Sequence, residues 1–135
     1  MPIVFVAHSK QMAAWGGDVG LGKNLFLLSA ADDADAAAAF LAGKPCGAED
    51  WAIVKQEAVD QADAGALQDK LANKEKRIDP NLYPRLRGFT GLFKVKQENV
   101  ENHIMVKKAL DGEEPKAIKV KPADMAAYLL SNCLK

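Results

Sequence analysis

Strand-like and helix-like segments alternate along most of this chain, and that alternation limits the architectures open to it. "PIVFVAHS" (residues 2–9) is a short β-branched and aromatic run that stops in polar residues, as a buried strand does. "NLFLLSA" (24–30) is a second strand candidate. "DDADAAAAFLAG" (32–43) predicts a helix: Asp32 or Asp33 can cap its free N–H groups, the alanines favour helix, and Gly43 can take a left-handed stop. "KPCG" (44–47) reads as a turn, and "WAIVKQEAV" (51–59) as a strand.

The second half repeats the alternation. "ALQDKLANKEKRI" (66–78) is helical by propensity and by the spacing of Leu67 and Leu71. Pro80 and Pro84 then disfavour helix across residues 79–91, which predicts an irregular connection. "LFKVKQ" (92–97) alternates, Phe93 and Val95 one way, Lys94 and Lys96 the other, as a half-solvated strand does. "ENVENHIMVKKALDG" (98–112) has acids early, lysines late and Gly112 as a stop, the strongest helical pattern in the chain. "KAIKVK" (116–121) alternates like a strand. "PADMAAYLLSNCL" (122–134) predicts a final helix with Pro122 in its first turn and Asp124 complementing its dipole.

Such alternation implies a sheet with helices packed on it. We expect a single α+β domain over residues 1–135, with a mixed sheet of about four to five strands and about four helices. The lysines in "FKVKQ" and "AIKVK" argue against strands covered on both faces. The length suits one domain, and 49% apolar residues suffice for a core without staples. Cys46 and Cys133 are too few for a disulfide scaffold and form no C-x-x-C pair, so two buried free thiols in a reducing compartment are expected. No apolar run approaches the ~20 residues of a membrane span, and no leader-type segment is visible; the expectation is a cytoplasmic protein with no membrane partner.

"GDVGLGKN" (17–24) has the glycine and Lys23 spacing of a phosphate-cradling loop. Asn24 stands where the magnesium-binding hydroxyl belongs, and a strand rather than a helix follows. The segment from Gly16 to Gly22 is therefore expected to be a glycine-rich connection, and no cofactor is expected. Neither His8 nor His103 has a second ligand at useful spacing, so no metal is expected. His8 ends a strand near the glycine-rich segment, the one place a small enzyme could be built, but Ser9 beside it faces the opposite way. No catalytic residue is assigned.

Charge is the one lopsided property. The net charge is zero, yet residues 1–69 carry four Lys against ten Asp/Glu, and residues 70–135 carry fourteen Lys/Arg against eight Asp/Glu. The window Lys70–Lys96 concentrates the excess, with Tyr83, Phe89 and Phe93 interleaved. Cationic surfaces grip polyanions by neutralising phosphates, and aromatics stack on unpaired bases. The candidate polyanion-binding residues are Lys74, Lys76, Arg77, Arg85, Arg87, Lys94, Lys96, Lys119 and Lys121. The leading expectation is a non-catalytic binding or regulatory module for an acidic protein or single-stranded nucleic acid. The alternatives are an interaction protein that docks on another protein or on itself, and a small enzyme using His8. Alternating lysines also serve solubility and edge protection, and the acidic half could cover the basic one.

Overall fold

The computed structural model describes residues 2–21, 24–61, 63–78, 82–83, 91–110, 112, 120 and 122–134. Five strands form one sheet: β1 (Ile3–His8), β2 (Leu25–Ala31), β3 (Ala52–Ala58), β4 (Lys76–Arg77) and β5 (Leu92–Lys94). Their order across the sheet is β3-β1-β2-β5-β4. The α+β architecture is as expected, but all four ladders are antiparallel, so the described sheet is not mixed. Five α-helices are present among the described residues: α1 (Lys10–Asp18), α2 (Ala34–Ala42), α3 (Ala64–Ala72), α4 (Gln97–Leu110) and α5 (Pro122–Leu134). None is long and apolar enough to cross a membrane.

The helices divide between the two faces. Val4, Val6, Phe26, Leu28 and Phe93 pack under Leu71 of α3, Val100 of α4 and Met125, Leu129 and Leu130 of α5. On the other face Phe5, Ala7 and Leu27 meet Ala37 and Leu41 of α2, while Leu25, Leu92 and Ile78 meet Met12 of α1. The inner strands are therefore covered on both sides, which is why β1 reads as continuously apolar. β5 differs from the half-solvated strand its lysines suggest: Leu92 and Phe93 are both buried, and only its end is wet.

Two elements depart from the sequence reading. The segment expected to be a glycine-rich connection begins as helix, because α1 runs through Gly16 and Gly17. Ser9 caps it by accepting the Met12 N–H, and Met12 and Gly16, four residues apart, are its buried face. The predicted helix over 66–78 starts at Ala64 under an Asp63 cap and stops at Ala72, and Lys76–Arg77 leave it to become β4. α2 sits where expected, with Asp33 accepting the Ala36 N–H at 2.7 Å. Apart from Val120, the segment expected to be a strand at 116–121 lies outside the described residues, as does most of the connection at 79–91.

Candidate functional site

Among the described residues of the basic window, one pair of strands brings two of its lysines together. The register of β4 and β5 places Lys76 directly opposite Lys94. The two share the face that carries Leu25 and Leu92, at the sheet's margin. Lys76 is exposed and Lys94 half-buried, and neither makes an ion pair among the described residues. Like charges in directly opposed positions repel, so this pairing is held against its own electrostatics by the surrounding fold. Lys74 and Lys96, both exposed, lie two residues along each strand segment and, the pairing being antiparallel, beyond the same end of the pair.

Arg77 goes elsewhere. It stands opposite Phe93 on the other face, with its guanidinium 5.8 Å from that ring's centre and a 2.7 Å bond to Asp69. Asp69 belongs to the acidic half, so upstream acid neutralises this one candidate. Lys70, also in the window, lies on α3, where its charge acts on the Cys133 thiol of α5. Arg85, Arg87, Lys119 and Lys121 lie outside the described residues.

Beneath the lysines is a carboxylate that the sequence offered no means of finding. Glu75 is buried, yet it carries three partners. It accepts the Asn99 side-chain amide at 3.0 Å and the Lys96 N–H at 3.4 Å, and it bonds the Tyr128 hydroxyl. The carboxylate thus sits at the N-terminus of α4, where the helix's free N–H groups favour a negative charge. Desolvation, reinforced by Glu75, pushes the Tyr128 phenol up to about 12. Glu75 fixes the chain between Lys74 and Lys76 to the chain at Lys96, and so holds both basic stretches in place. Nothing in "NKEKR" marks its middle residue as buried, because the burial comes from helices far along the chain.

His8 is half-buried, with its ring 5.1 Å from that of Phe26. It lines a cavity of about 260 Å³ whose other described walls are Ala13, Asn24, Phe26, Gln97, Val120 and Met125. These described walls are apolar groups and amides. Ser9 turns the other way, as expected, and its hydroxyl donates to Asp50. That bond, ahead of the Gln11 N–H at 3.2 Å, holds the Asp50 carboxyl below the usual carboxylate range. Gln11 in turn accepts the Glu49 N–H at 2.9 Å, so the cluster clamps the start of α1 to residues 49–50. Its work is capping.

Gly17, the first glycine of the phosphate-loop spacing, lies inside α1, and strand β2 begins at Leu25; Gly22 and Lys23 lie outside the described residues. Both cysteines are buried and neither forms a disulfide. Comparison with protein-family models, with curated proteins and with solved structures gives no match to this chain.

Proposed function

We propose that this chain is a small, non-catalytic cytoplasmic binding module that engages single-stranded nucleic acid through the β4–β5 margin. The observation that carries the reading is the opposed pair Lys76 and Lys94 without a counter-anion among the described residues. A pair of like charges costs stability in the free protein. A bound phosphate lying between them reverses the sign, so the arrangement is better satisfied in a complex than alone. Lys74 and Lys96 extend the track together beyond one end of the pair, because the two strands run antiparallel. Two buried cysteines outside any disulfide suit a reducing compartment.

The test is binding of a labelled single-stranded oligonucleotide as salt is varied. Four lysine–phosphate contacts predict a fall in affinity of about 50-fold between 50 and 200 mM salt, from a slope of roughly −0.7 per contact. Lys76→Glu with Lys94→Glu is expected to abolish binding at low salt, whereas Arg77→Ala, already paired to Asp69, changes it little. Failure of the unsubstituted protein to bind at low salt ends the proposal. An acidic protein as partner is the result read if a polyglutamate competitor displaces label as well as nucleic acid does.

A further inference from the structure

The sheet's other margin has a different character. Among the described residues, β3 is the outermost strand and pairs only with β1. A bulge opposite Val6 and Ala7 makes Val54 the extra residue, and beyond it Lys55 to Ala58 are all exposed. Lys55 and Glu57 stand on the face that carries α4 and α5, as the partners of Val6 and Val4. Beside them runs a groove of about 560 Å³ walled by Val106 and Leu110 of α4 and Leu130 and Leu134 of α5. Its α4 wall is unusually bare: Val106 is 59% exposed, Leu110 83%, and Met105 next to them 44%. An open strand and an apolar ridge therefore lie together on one side of the molecule.

We propose that this side receives a second copy of the chain, with β3 pairing antiparallel to β3 about a twofold axis at Gln56. The charge pattern selects that axis. In an antiparallel pair centred on residue 56, residue 55 of each copy stands opposite residue 57 of the other, on the same face. Lys55 then meets Glu57 of the second copy, and symmetry makes the contact twice. Centring on residue 55 or 57 instead sets lysine against lysine or glutamate against glutamate. A lone lysine on an edge strand keeps other strands away; an acid two residues on turns the same device into self-recognition.

The ladder alone is too small. With the bulge at Val54 it spans little more than Lys55–Ala58, far short of the ~1,200–2,000 Å² that stable interfaces bury. The remaining area has to come from the helices. A twofold axis perpendicular to the sheet keeps α4 and α5 of both copies on one face and turns the two bare ridges toward each other. The strand supplies register and the ridge supplies apolar area, so neither suffices alone. This surface lies at the opposite edge from the lysine pair, and the inference does not depend on the nucleic-acid proposal.

Light scattering on the full chain, from about 1 to 100 µM at low and moderate salt, tests it. The expected result is a dimer. Lys55→Glu and Glu57→Lys each place like charges opposite one another twice, and each is expected to weaken dimerisation on the order of tenfold. The double exchange recreates the pair with its signs reversed and is expected to return the affinity to within about threefold of the original. Leu110→Lys is expected to weaken it as strongly as either single exchange, with circular dichroism unchanged. A strict monomer at the highest concentration overturns the proposal. So does a dimer indifferent to Lys55→Glu and Leu110→Lys, or a double exchange that restores nothing. The Lys76→Glu, Lys94→Glu protein should dimerise normally.

Discussion

Lys44 and Cys46 both sit at φ 58°, in the left-handed region that side chains with a Cβ avoid. Each is held there by the one-turn 3₁₀ segment Pro45–Gly47, whose Pro45 carbonyl accepts the Trp51 indole N–H at 2.7 Å. The sequence places a glycine one position too early for this purpose. Gly43, expected to make the left-handed stop of α2, has φ −73°, and a Cβ there would lie 3.2 Å from the Phe40 carbonyl oxygen. Its glycine answers to space, and the turn falls on the lysine instead. Left-handed backbone costs a non-glycine residue roughly 1–2 kcal/mol. Lys44→Gly is therefore expected to stabilise the protein by about 0.5–1 kcal/mol once the extra freedom of the unfolded glycine is subtracted. The exposed Lys44–Glu49 contact at 3.3 Å is lost in the exchange and offsets little of this. A higher urea midpoint with an unchanged slope is the expected reading, and a lower midpoint contradicts it.

At the scale of elements, the sequence was readable wherever a cap and an apolar period agreed. Asp33 before a run of alanines marks α2, and the acids and lysines at its two ends mark α4. α1 escaped because glycines at 16 and 17 carry low helix propensity, while its support comes from Ser9, Asp50 and the sheet beneath Met12. β4 escaped for the opposite reason: "KEKR" has good helix propensity, but pairing with β5 overrides it. The same step hid the candidate site. That Lys94 and Lys96 share a face is expected from period two, whereas the meeting of Lys94 with Lys76 depends on a register set by a long connection. Glu75, between α3 and β4, anchors that arrangement. Glu75→Gln keeps the shape but turns one acceptor into a donor facing the Asn99 amide and the Lys96 N–H. It is expected to destabilise by about 1–3 kcal/mol, the cost of leaving buried polar groups unpaired. Urea unfolding with no change in midpoint would show that the three partners are satisfied without the carboxylate.

Across the whole molecule, alternation and composition were enough to give the α+β class but not the strand order. β5 enters between β2 and β4, and β1 between β2 and β3, which no local pattern encodes. Packing the last helix against that sheet also contributes a stability that is lost at alkaline pH. Burial pushes the Cys133 thiol up to about 11 from its ordinary 9.0, and desolvation with help from Glu75 takes Tyr128 to about 12 from 10.0. Both groups keep their protons in the native state at a pH where the unfolded chain has lost them. Stability from this source is fully present below pH 9.0 and declines as pH climbs toward about 12, since the unfolded state then binds fewer protons. Cys133→Ser is expected to flatten the first part of that decline in thermal melts between pH 8 and 11; an identical slope in both proteins contradicts it.

β1 has a neighbour on either side and helices above and below, yet it precedes both flanking strands in the chain. During synthesis it therefore emerges without any of its eventual partners, and its run of buried residues from Ile3 to Ala7 must wait for nearly fifty more residues before β3 arrives to close its second side. Until then the nascent polypeptide carries an unprotected adhesive segment, the kind of transiently exposed apolar surface that invites non-native association during synthesis.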